Sequence, residues 1–171
     1  DITARGDTPH PLVVEPGQAE LARPGERPGA ADNPPAHPDP DGKLLRDHRT
    51  LVLVTSTVVP HTKKAGQAVR IFLEARPNHV NHAKWNDEAG ISSVHIKPPE
   101  GWTAHPAVLT LPPANGKPLT SSRIIEFELH RQDDRTADRP TLTAECFYHV
   151  CSGTEGLCQF LRQDVEVKLP K

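Results

Sequence analysis

The sequence predicts an antiparallel β-sandwich preceded by an extended, proline-rich arm. Three observations carry this. From about Asp47 onward, short runs rich in β-branched residues recur, each closed by proline, glycine or polar residues. No segment reads as a long amphipathic helix. The stretch Thr141–Leu169 reads as two strands joined by a six-residue connection, Ser152–Leu157, with Cys151 and Cys158 at its mouths.

Residues 1–46 are assigned to an extended Pro-rich arm or a linker. Its first 42 residues hold nine prolines, which remove backbone donors and bias their neighbours toward extended geometry. Leu12, Val13 and Val14 are its obvious apolar anchor, and a protein partner or parent assembly is expected to hold the arm there. The sandwich is assigned to residues 47–171. Arg49–Val59 (RTLVLVTSTVV) and Ala65–Ala75 (AGQAVRIFLEA) read as strands. Arg76–Gly90 is polar and reads as a connection, Ile91–Ile96 as a short strand, Gly101–Trp102 as a turn, and Ala107–Leu111 as another short strand. Ser122–His130 alternates: Ile125, Phe127 and Leu129 face one way, while Ile124, Glu126, Glu128 and His130 face the other. Asp133–Arg139 is a charged loop, and the closing hairpin brings the expectation to six or seven strands.

Within that hairpin, alternation puts Leu142, Ala144, Cys146, Tyr148 and Val150 on the core face and turns Cys151 the other way. Facing positions of an antiparallel ladder come within about 4.5 Å, inside the range a disulfide tolerates. A Cys151–Cys158 bond is therefore expected. The same register sets Cys146 opposite Gln163, as a buried free thiol. Composition favours a structural staple over a redox pair. His149 and Arg162 are the cations considered as lowering a thiol pKa, and Glu155 opposes them. There is no C-x-x-C motif.

With 22 acids against 20 bases and no basic stripe, nucleic acid is not an expected partner. No run of 18 apolar residues exists, so no transmembrane segment is expected. Methionine is absent, so Asp1 reads as the start of a processed form or of a piece of a longer chain. A disulfide favours an oxidising compartment, periplasmic or secreted. His79-x-x-His82 has a spacing that invites a metal, with His149, Cys146 or Asp87 to complete the site; hydrogen-bonded loop histidines are the plainer reading, and no cofactor is expected. Glu126 and Glu128, with Glu145, could line a glycosidase-like cleft, but alternating acids on one strand read more plainly as its wet face. Trp85 and Trp102 are expected to cover an open end of the sandwich.

The run Tyr148-x-x-Cys151 with Gly156-Leu157-Cys158 resembles the cysteine hairpin of the amino-terminal periplasmic domain of the transmembrane thiol:disulfide interchange reductase. Tyr148–Leu169, ending in Val165-Glu166-Val167-Lys168-Leu169-Pro170, also resembles the terminal β-domain of secreted proteins that combine a thioredoxin-like domain with NHL repeats. Ile71–Trp102 is similar too, in His79-Val80-Asn81, Trp85-Asn86 and Pro99-Glu100-Gly101-Trp102. The resemblance implies an immunoglobulin-like sandwich and makes Cys151 and Cys158 candidate redox residues with a thioredoxin-like partner. Two classes of function follow. One is an extracytoplasmic, noncatalytic interaction or assembly domain stapled by the disulfide, which the sequence narrowly favours. The other is thiol–disulfide exchange at an accessible Cys151–Cys158 bond.

Overall fold

The computed structural model describes residues 36–61, 67–132, 140–154 and 156–170, all within one compact unit, Pro34–Lys171. Leu12, Val13, Val14 and Glu155 lie outside the described residues. The described fold is all-β, two antiparallel sheets enclosing one core.

The first sheet holds β1 (Val52–Pro60), β2 (Ala68–Pro77), β7 (Arg123–Arg131) and β5 (Trp102–His105), in the order β1-β2-β7-β5. β2 buries Val69, Ile71, Leu73 and Ala75 in strict alternation, and β7 buries Ile125, Phe127 and Leu129. The second sheet is built on β8 (Thr141–Ser152), which pairs along its whole length with β9 (Leu157–Lys168). Its other edge carries β4 (Ser93–Lys97) and β3 (Lys84–Trp85), and β6 (Val108–Thr110) lies beyond β4. This makes nine described strands rather than six or seven. β3 and β5 were missed because two and four residues in polar surroundings show no alternation; pairing to β8 and β7 alone makes them strands.

β8 is buried on both faces. Leu142, Ala144, Cys146, Tyr148 and Val150 enter the core between the sheets, yet Glu145 and Phe147 on the outward face are as well hidden. Residues 37–47, mostly placed in the arm by the sequence reading, cross that face. His37 Nε2 lies 2.9 Å from Glu145 Oε2, and its ring meets His95 and Phe147 edge-on at 4.9 and 5.2 Å. Asp39 pairs with Arg162 at 3.2 Å, and Arg46 pairs with Asp164 at 2.5 Å. The backbone then runs parallel to β9 for one bridge, Arg162 N–H donating to Leu45 and Asp47 N–H to Arg162. Asp47 closes this strap onto the sandwich: its carboxylate accepts from Leu51 N–H, Val52 N–H and the Tyr148 hydroxyl, at 3.0, 3.0 and 2.7 Å. Burial, and then that bond to Asp47, pushes the Tyr148 phenol well above its ordinary range.

Candidate functional site

The disulfide sits at one end of the outward face of the second sheet. Cys151 and Cys158 face each other in the β8–β9 register and are bonded, with Cα atoms 3.8 Å apart. The N–H and C=O of Arg162 point away from β8, so by parity Cys158 belongs to a non-hydrogen-bonded pair, the kind that brings facing side chains closest. Gly153 and Gly156 turn the connection with φ of +74° and +67°, a region open to glycine without strain. The Gly153 N–H donates to the Asn81 carbonyl at 3.2 Å, tying the hairpin tip to the 3-10 turn His79–Asn81.

The two cysteines are not equivalent. Cys151 is 6 % exposed, whereas Cys158 is open to solvent. On the other edge of β8, Lys84 stands directly opposite Cys151. Facing residues share a sheet face with Cβ atoms about 4.5–5.5 Å apart. Lys84, Cys151 and Cys158 thus form one row across three strands. Lys84 is exposed and has no ion-pair partner among the described residues. Replacing both cysteines by serine removes the closure of an eight-residue loop and is expected to cost about 2–3 kcal/mol without abolishing the fold, as read from urea denaturation midpoints.

The cations considered from the sequence are both committed elsewhere. His149 stacks on Phe160 with ring centroids 4.2 Å apart, and burial lowers its pKa, so the ring is neutral at neutral pH. A Cβ at Gly90 would sit 3.0 Å from His149 Nε2, on a backbone at φ +149°, so only glycine fits beneath this stack. Arg162 is held by Glu145, Asp164 and Asp39. Lys84 is the cation beside the disulfide that sequence reasoning missed. Its signal was hidden because the polar run around it showed no strand, and nothing local links position 84 to 151.

The remaining candidates are distributed through the fold. Cys146 is a free thiol in the core, opposite Gln163; burial pushes it up to about 12, so it stays protonated and inert. Trp85 and Trp102 are part of the core. Trp85 Nε1 donates to the Ser121 carbonyl at 2.9 Å, and its ring meets Tyr148 edge-on and lies 4.3 Å beneath the Arg123 guanidinium. His79 and His82 bracket the 3-10 turn, with His82 N–H donating to the His79 carbonyl at 3.0 Å. The groups weighed to complete a metal site with them are occupied: Asp87 pairs with Arg123 at 2.7 Å and accepts from Ala114 N–H, Cys146 is in the core, and His149 is stacked. Among the described residues no group of three or more His, Cys, Asp or Glu side chains is placed to hold a metal ion. The cleft reading of the carboxylates is overturned. Glu126 and Glu128 pair with Arg70 at 2.9 and 3.4 Å on the outer face of the first sheet, whereas Glu145 lies on the outer face of the second, across the whole sandwich.

Comparison with family models, with curated proteins and with solved structures returns no match, so the disulfide row is judged on its own geometry.

Proposed function

We propose that this domain carries out thiol–disulfide exchange with a partner protein through Cys151 and Cys158, in a periplasmic or secreted setting. The observation that carries the reading is the asymmetry of the bond: Cys158 is exposed while Cys151 is shielded. A partner thiolate attacks the Cys158 sulfur, the Cys151–Cys158 bond breaks, and Cys151 leaves with the electron pair as a thiolate. A second partner thiolate then attacks the partner's own sulfur in the mixed disulfide and displaces the Cys158 thiolate. The partner ends oxidised, the domain reduced. The resemblance of the Tyr148–Cys158 hairpin to that of the interchange reductase supports the same reading, with a thioredoxin-like protein as partner. The compartment rests on the disulfide itself, since such bonds persist where glutathione and thioredoxin do not keep thiols reduced. Among the described residues no helix is long and apolar enough to cross a membrane.

The test is the reduction potential of the pair, obtained by equilibration in graded thiol/disulfide buffers with trapping of free thiols. A value between about −120 and −270 mV, among known exchange proteins, is expected. A value below about −300 mV would instead select a noncatalytic interaction or assembly domain in which the bond only staples the hairpin. One observation favours that second reading. The exposed side chains of Val80 and Leu157 lie on the two segments joined by the Gly153–Asn81 bond, an apolar rim suited to a protein contact. On that reading, Leu12, Val13 and Val14 are the arm's contacts with its assembly.

A further inference from the structure

The surroundings of the disulfide are more informative about its partner than the bond itself. Lys84 faces Cys151 across the β3–β8 pairing. At the same end of the sheet, Arg49 lines a cleft of about 200 Å³ with Gln159, whose side chain faces inward with Val150 and not outward with Cys158. Arg49 is exposed, and neither it nor Lys84 has a carboxylate partner among the described residues. The carboxylate of that cleft, Asp47, is turned inward to Leu51 N–H, Val52 N–H and the Tyr148 hydroxyl. Along the sheet face, the next carboxylates, Glu145 and Asp164, are neutralised by Lys97, Arg46 and Arg162. Lys84 therefore shares a row with the sulfurs, and Glu145 and Asp164, farther along that face, are already paired.

We infer that Lys84 makes the Cys151–Cys158 disulfide selective for anionic thiols, so that its exchange partner presents its thiol within an acidic surface. This rests on the exchange reading. The lysine acts twice in the step described above. It attracts the negative charge carried by the incoming thiol and its surroundings, and it favours the negative charge that develops on Cys151 as that sulfur leaves. Lys84 is a positioning residue here: it forms no bond to the reacting sulfurs and takes no proton. Electrostatic attraction across about 8 Å of water-like medium is worth about a two- to threefold change in rate for each unit of charge on the thiol.

The experiment uses the full chain with its disulfide formed. Second-order rates of native-state reduction are measured with 2-mercaptoethanesulfonate, 2-mercaptoethanol and cysteamine, which are anionic, neutral and cationic, each rate being normalised to thiolate concentration and to the rate of the same thiol with an uncharged model disulfide, which removes differences in intrinsic nucleophilicity. The anionic thiol is expected to outpace the cationic one by about four- to ninefold at low ionic strength. That ratio should collapse toward one in about 0.5 M salt, where screening is nearly complete. Lys84→Gln should lower the ratio at low salt, Lys84→Arg should restore it, and Arg49→Gln should lower it by less. A ratio that is the same in the wild type and Lys84→Gln would overturn the inference while leaving exchange itself intact. If none of the three thiols reduces the native protein, the exchange reading fails and this inference fails with it. Lys84 is exposed on a two-residue strand, so its replacement leaves the core untouched; unchanged denaturation midpoints check this.

Discussion

Glu145→Ala is expected to cost about 3 kcal/mol, and to free the strap formed by residues 37–47 from the sheet. Glu145 is 1 % exposed yet ionised, because it accepts from Lys97 Nζ at 2.6 Å, His37 Nε2 at 2.9 Å and the Arg162 guanidinium. Breaking a buried charge pair from one side strands the partner charge and costs about 3–5 kcal/mol. The lower end applies here, since Lys97 is 60 % exposed and rehydrates, and Arg162 keeps Asp39 and Asp164. Denaturant titration reads the energy. Amide hydrogen exchange reads the strap: Lys43 and Leu44, whose N–H groups donate to Asp39, should lose protection first.

The same network sets the response to acid. Burial raises the Glu145 pKa, but the bonds from Lys97 and His37 and the charge of Arg162 outweigh it and hold the carboxyl below its usual range. Asp164 and Asp39 are likewise held low against burial by their bonds to arginine and backbone. A carboxyl with a depressed native pKa stabilises the fold above its unfolded pKa, about 4, and loses that contribution as pH falls through the native value. His95 is depressed by burial and by His37, so its contribution runs the same way, present above about pH 6.5 and shrinking below it. Stability should therefore decline gently below about pH 6.5 and steeply below about pH 4. In Glu145→Ala the steep limb should flatten. An acid limb identical to that of the wild type would show that the carboxylate is not paired in solution.

Trp85→Ala should cost about 3–5 kcal/mol, the range for deleting a large buried aromatic side chain. Trp85 is 1 % exposed and joins the sheets: it lies on β3 of one, under Arg123 from β7 of the other, with its edge toward Tyr148. Its removal opens a cavity, takes away the cation–π contact and leaves the Ser121 carbonyl without its donor. Trp85→Phe restores most of the ring but not the N–H, and should recover more than half of the loss. The readout is a lowered urea midpoint at constant m. Equal losses for the two variants would mean that the hydrogen bond, not the packing, holds this residue.

The long strands were legible because each carries its own pattern. Ile125, Phe127 and Leu129 alternate with Glu126 and Glu128 in β7, and the two-sided arithmetic of the β8–β9 hairpin predicts the Cys151–Cys158 bond and sets Cys146 against Gln163. Period two is a local property, readable wherever one face is wet and the other dry. The sequence by itself therefore determined the all-β class, the closing hairpin and its disulfide. Only the tertiary structure decided that Lys84 stands beside Cys151, that Glu145 is a buried charge and not a wet one, and that residues 37–47 cover its face. Those facts depend on pairings between positions up to 123 residues apart, such as Asp39 with Arg162. No neighbouring residue encodes such a meeting, because it is fixed by how whole strands choose their partners and by what is left to cover the face they present.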